Sequence, residues 1–211
     1  EWDNHYPISK TENIINNYQN SSAYGVLQKL YHNEENVNIV VLGDSTGNDG
    51  NEWVYLFAQE MAVKYPAYTV NYYLWNNTTL VYDLVTVVQN GTDSHSLNIW
   101  NSSIVSTITY SAIRIKFKEK VIIPNPDLVL ISYGHNEGSL SNNVEKLNLR
   151  ARYYLLTQYI SYSVPSASIM TIAQNPGTSS NIQKLKAEII WEVASKSGYG
   201  YINVHDAFLN V

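Results

Sequence analysis

Two rhythms of hydrophobic positions divide the chain. Residues 38–42 and 128–132 are short, unbroken apolar runs of the kind that fill parallel strands covered on both faces. Residues 53–65 instead repeat apolar side chains at helical spacing and stop at Pro66, before which a helix usually ends. The β-branched and aromatic stretch 68–74 reads as a strand. Residues 80–88 are rich in valine, yet they follow Asn76-Asn77-Thr78-Thr79, a cluster suited to capping, and are expected to be helical. The stretch 97–123 alternates like strands at first and then fits either type, so it stays mixed.

Beyond it, 128–132 and 167–173 are expected strands, and 142–162 is a long helix with Glu145 three residues after its cap. Ser180 with Gln183 forms a second capping box, opening a helix that runs to Lys196 with Gly198 just past its end. Residues 201–204 make the last strand. At the other end, 1–10 read as an irregular lead-in, and Ile14, Ile15, Tyr18, Leu27 and Leu30 give one or two short helices over 11–32.

Strands alternating with helices imply right-handed crossovers and a three-layer α/β/α sandwich around a central, mostly parallel, five-stranded sheet of flavodoxin-like order. The expected organisation is a lead-in and helix at 1–36 packed on one domain at 37–211. In such sheets ligands bind beyond the carboxyl ends of the strands. That rule selects Ser45, the Asn76 region, Asn136, Asn175 and His205 with Asp206 as the positions to test for chemistry.

Composition narrows the function. With 45% apolar and 15% charged residues the 211-residue chain is globular, and no apolar run approaches the length that spans a membrane. A net charge of −5 without a basic stripe argues against nucleic acid. The absence of cysteine excludes disulfides and thiolate metal sites. His5, His32 and His95 fall in expected loops or helix ends, and no histidine pairs with Asp or Glu at ligand spacing, so neither a metal nor a cofactor is expected. Asn-x-Ser/Thr sequons begin at Asn20, Asn76, Asn77, Asn90 and Asn101, about as many as chance yields, and lean the expected location only slightly toward the outside of a cell or virion. A start at Glu1 without methionine or a signal-like apolar region reads as a processed or excised segment.

Gly43-Asp44-Ser45 delivers a serine from an apolar strand onto a tight turn, where its own backbone N–H can serve as an oxyanion donor. Gly43 and Gly47 allow close approach there. All three residues of the tripeptide also favour ordinary turns. Gly134-His135-Asn136-Glu137 then places an Asn amide, a second oxyanion donor, at another strand exit.

With these two blocks the chain resembles the SGNH hydrolases, or GDSL esterases. Gly43-Asp44-Ser45 is similar to that family's first block, and Gly134-His135-Asn136-Glu137 to its Gly-x-Asn-Asp block with Glu in place of Asp. The resemblance covers the chain from about residue 37 onward. It implies ester hydrolysis through an acyl-serine, commonly deacetylation of carbohydrate, with Ser45 as nucleophile and Asn136 as oxyanion donor. The family's second block supplies a glycine N–H; the matching stretch here, 75–79, has none, and Asn76 is the closest match. Asp44, Trp75, Gly134, His135 and Asn175 are the expected substrate contacts, with Tyr133 and Gln174 beside them.

The family's Asp-x-x-His is absent. His205 adjoins Asp206, but as strand neighbours they would point to opposite faces. Three readings stand for the base: it lies beyond residue 211, His205 or His135 substitutes, or the domain only binds. The expected partner is an acylated carbohydrate or other small ester. The alternative, from another functional class, is a non-catalytic carbohydrate-binding or structural module, as in a surface appendage or viral fibre.

Overall fold

The computed structural model describes residues 23–177 and 180–209; the expected lead-in and the first half of the stretch 11–32 lie outside them. In chain order the elements are α1 (Tyr24–His32), β1 (Val37–Gly43), α2 (Trp53–Lys64), β2 (Thr69–Asn76), β3 (Val81–Gln89), β4 (Ser96–Ser103), α3 (Thr109–Arg114), a π-helical turn (Lys118–Ile122), β5 (Leu128–Ser132), α4 (Asn143–Ser163), β6 (Ser168–Ala173), α5 (Ser180–Ser197), β7 (Gly200–Asn203) and α6 (Val204–Leu209). The strands form one sheet in the order β3-β2-β4-β1-β5-β6-β7, parallel throughout except for β2 with β3.

β1 lies between β4 and β5, with Gly43 opposite Ser103 on one side and Ser132 on the other. Its side chains alternate between two cores. Ile39 and Val41 pack with Val26 and Leu30 of α1 and Val54, Ala58 and Ala62 of α2. Val40 and Leu42 pack with Leu149, Tyr153, Leu156 and Ile160 of α4 and Ile190 and Val193 of α5. A strand buried on both faces has no polar face to alternate, which is why this segment reads as an unbroken apolar run. The long helix α4 begins as its cap requires, the Asn142 side chain accepting from the Glu145 N–H at 3.0 Å.

The sheet has seven strands rather than five. One addition is β4, from the stretch left mixed. The other corrects the helix expected at 80–88, which is β3, an antiparallel partner of β2. Its supposed cap closes a hairpin instead: Asn76 Oδ1 accepts from the N–H groups of Thr78 (2.8 Å) and Thr79 (3.1 Å), and Leu80 takes a left-handed backbone with φ 58°. Asn favours Asx turns as readily as helix caps, and the β-branched run that follows then settles into strand pairing. Aromatic contacts bind the hairpin to the sheet. Tyr73 stacks on Trp100 with ring centroids 3.9 Å apart, and Tyr82 meets Trp75 and Trp100 edge-on.

Lys120, in the π-helical turn, is only 1% exposed, and no carboxylate pairs with it among the described residues. Burial pushes its amine down from the usual lysine value to about 8. The unfolded chain therefore binds more protons than the folded one between pH 8 and about 10.5, and stability rises with pH across that window. Lys120→Met is expected to stabilise the protein at pH 7 by about 3 kcal/mol, from the size of the shift. It should also flatten the rise between pH 8 and 10.5, as read by urea unfolding at several pH values.

Candidate active site

Gly43 ends β1 where a Cβ would sit 2.7 Å from Ser103 Oγ and 3.2 Å from the Ser132 carbonyl oxygen, so only glycine lets the neighbouring strands close around the turn. Asp44 is fully buried. Its Oδ1 accepts from the Thr46 N–H (3.1 Å), the Thr46 hydroxyl (3.0 Å) and Gln174 Nε2 (2.9 Å). The Gly47 N–H donates to the Asp44 carbonyl at 3.3 Å, and Asn101 Nδ2 of β4 donates to the Gly47 carbonyl at 2.6 Å. These bonds fix the turn on both sides of Ser45. The serine itself is half-buried, and its hydroxyl and backbone N–H make no hydrogen bond among the described residues.

The exit of β5, the strand paired with β1, carries residues 133–137. The His135 N–H donates to Gln174 Oε1 at 2.8 Å. Its ring Nε2 lies 2.9 Å from the Asn175 carbonyl; because that oxygen only accepts, Nε2 carries the proton and Nδ1 is left as an acceptor. Asn136 is exposed, and its Nδ2 donates to the Thr107 carbonyl at 3.0 Å, which holds one amide hydrogen and leaves the other free. Glu137 is buried. It accepts from Arg152 (3.0 Å) and from both the N–H (2.5 Å) and the hydroxyl of Thr109 at the start of α3. A buried carboxylate needs such partners, so this glutamate ties the loop to α3 and α4.

Gln174, just past β6, joins the two loops. Its Nε2 donates to Asp44, to Thr46 and to the Ser132 carbonyl at 2.9, 3.0 and 3.1 Å, while its Oε1 holds His135. Lys186 of α5, nearly buried, donates to the His135 carbonyl at 3.3 Å. Burial lowers its pKa, and the charges of Glu137 and Asp44 oppose that shift.

At the level of sequence no family model matches the chain and no curated relative does. Solved structures do match. A lipase/acylhydrolase from Enterococcus faecalis is 15% identical with a TM-score of 0.57, the match covering 83% of this chain and 80% of that one. An acetyl xylan esterase, AlAXEase, is 14% identical with a TM-score of 0.57, covering 82% and 80%. A GDSL-like lipase from Parabacteroides merdae is 12% identical with a TM-score of 0.56, covering 83% and 81%. The chain has the SGNH hydrolase fold.

On this SGNH scaffold the expected residues separate into two groups. Ser45, Asp44, Gly134, His135, Asn136 and Asn175 gather at the adjoining exits of β1, β5 and β6. Asn76 does not join them. β4 stands between β2 and β1, and the Asn76 side chain is occupied with Asp83 and with the turn it closes. Trp75 is 5% exposed and packed on Tyr82, and Tyr133 is buried, so neither presents a face to a ligand.

His205 is at the exit of β7, three strands from β1, which is about 14 Å at ordinary strand spacing. It also corrects the expected orientation. α6 begins at Val204, so His205 and Asp206 are helical neighbours rather than strand neighbours, and Nδ1 lies 2.9 Å from Asp206 Oδ1. That contact holds the Asp206 carboxyl below its ordinary pKa.

Sequence reasoning missed the exit of β4. Its Ile104 N–H donates to the Gly43 carbonyl at 3.0 Å, and Thr107 Oγ1 reaches the same oxygen at 3.3 Å. Ser106 has φ 60° and an N–H without a partner among the described residues. A left-handed position beside the first block is where a glycine would ordinarily stand. Only the pairing of β4 with β1, which an inserted hairpin hides, could have pointed to it.

Two substitutions separate the groups. Gln174→Leu strips the Asp44 carboxylate of a donor and is expected to lower stability by about 3 kcal/mol in urea unfolding. Asn76→Ala should lower it by about 1 kcal/mol, the size of a lost cap, in the same measurement.

Proposed function

We propose that this chain is a serine ester hydrolase in which Ser45 attacks the carbonyl carbon of an O-acyl ester, most simply an O-acetyl group on a carbohydrate. The observation that supports it best is the shared clamp. One buried amide, Gln174, bonds both the turn that carries Ser45 and the loop that carries Asn136, so nucleophile and oxyanion donor keep a common frame. As the Oγ–C bond forms, the serine proton passes to a base, and negative charge grows on the former carbonyl oxygen. The Asn136 amide and the free N–H groups of Ser45 and Ser106 are the donors assigned to that charge. The tetrahedral intermediate collapses by breaking the bond to the alcohol, which leaves with a proton from the base. Water then cleaves the acyl-serine by the same steps in reverse roles.

Among the described histidines the base is assigned to His135, which stands on the strand exit next to β1 with Nδ1 unprotonated and its ring oriented by the Asn175 carbonyl. The acetyl xylan esterases among the structural matches support carbohydrate-borne acetyl as the first substrate to test. A second reading, a binding module on the same scaffold, is favoured by one observation: no histidine hydrogen-bonds Ser45 among the described residues.

A fluorophosphonate probe decides between them. Labelling that Ser45→Ala abolishes supports the hydrolase; an unlabelled protein that binds glycans supports the module. With p-nitrophenyl acetate, Asn136→Ala is expected to lower kcat by about 10²–10³-fold. His135→Gln should lower kcat by about 10²-fold or more with little change in KM. Full turnover by His135→Gln would place the base elsewhere.

A further inference from the structure

Helix α4 turns its charges toward its own protein and a row of apolar side chains toward solvent. Leu149, Tyr153, Leu156 and Ile160 make its core face. On the opposite face Val144, Leu147, Ala151, Leu155, Tyr159 and Tyr162 follow one another at steps of three and four residues, and all are exposed, Val144 by 65% and Tyr162 by 88%. No exposed residue of α4 is charged. Glu145 accepts from Ser139 and Ser141, Arg150 pairs with Glu192 of α5, and Arg152 pairs with Glu137. An apolar stripe along the whole of a 21-residue helix is more than a monomer usually leaves bare.

The stripe is its own complement. A twofold axis at the level of Tyr153 lays α4 antiparallel on a copy of itself and sets Val144 against Tyr162, Leu147 against Tyr159 and Ala151 against Leu155, so that in each pair a smaller side chain meets a larger one. Asn148 and Gln158, the exposed amides of the same face, also meet across this axis, and each offers the other a donor and an acceptor. The lack of charge counts in favour of a like partner, because two chains of net charge −5 repel each other and approach best through a neutral face. α4 is about 31 Å long, and a strip about 25 Å wide that reaches onto its neighbours α3 and α5 supplies the roughly 800 Å² per copy of an ordinary stable interface. We infer that α4 is the interface between two copies of this chain in an isologous dimer. Since α4 runs back against the parallel strands β5 and β6 that it connects, the antiparallel arrangement points the strand exits of the two copies in opposite directions. The dimer does not depend on the hydrolase reading.

Two measurements test it. Analytical ultracentrifugation of the 211-residue chain is expected to show a dimer. Ala151→Glu, which sets like charges beside the axis at an exposed position, should weaken the dimer by about tenfold or more. Leu155→Glu provides a second variant if the first fails to fold. The chain has no cysteine, so introduced ones report the register without background. Val144→Cys and Tyr162→Cys proteins, mixed under mild oxidation, should form a disulfide with each other. Val144→Cys alone should not, because its two copies lie about 27 Å apart along the paired helices. A monomer at about 100 μM, a dimer that neither glutamate weakens, or cross-linking of Val144→Cys to itself overturns the proposal.

Discussion

One primary amide holds the working end of this molecule together. Parallel strands deliver their loops to the same edge of the sheet, but strand pairing stops at that edge and does nothing to fix what lies beyond it. Gln174 supplies the missing constraint by bonding the exits of β1 and β5 from its place at the exit of β6. The bond to Asp44 matters most, because a carboxylate with no exposed surface has no water to fall back on. Backbone shape is adapted to the amide as well. A Cβ on Gly134 would lie 3.1 Å from Gln174 Oε1, so the glycine leaves the space that the amide fills.

The loops are held from outside by the same logic. Asn136 leans on the Thr107 carbonyl, Glu137 on Thr109 and Arg152, and the Ser45 turn on Asn101, whose Nδ2 also donates to the Tyr72 hydroxyl oxygen at 2.7 Å. Each loop bearing candidate chemistry is thus anchored on an element other than its own strand. That is what preorganisation requires, since a group fixed before the reaction does not have to be ordered during it. Glu137 fits this scheme, because its side chain reaches two helices at once.

What could be read from the sequence follows from how local each signal is. β1, β5, α2 and α4 were legible because their apolar pattern, caps and stops lie within the segment itself; β5 in particular occupies the residues expected. Ser45 and Asn136 were legible as strand-exit residues for the same reason. The hairpin was not, since Asn76-Asn77-Thr78-Thr79 can start a helix or close a turn, and the choice depends on pairing with β2. With the hairpin misread, nothing in the sequence brought the exit of β4 beside that of β1. Strand order is a property of the sheet, and Ser106 becomes visible only once β4 is known to lie beside β1. Gln174 was noted only as a neighbour of Asn175, because nothing in the sequence says that its amide reaches back to Asp44, 130 residues earlier.

The hairpin β2–β3 occupies one border of the sheet, with β4 between it and the strand that carries the serine. Its turn is closed by its own residues, and its aromatic contacts end at Trp100. Drift in β3 and in the turn would therefore reshape the outline of the molecule while leaving Tyr72 of β2, and through Asn101 the Ser45 turn, where they are. The outer strand of this flank can diverge without touching the strand exits, so descendants of one ancestor could come to present different faces to their surroundings around one unchanged set of loops.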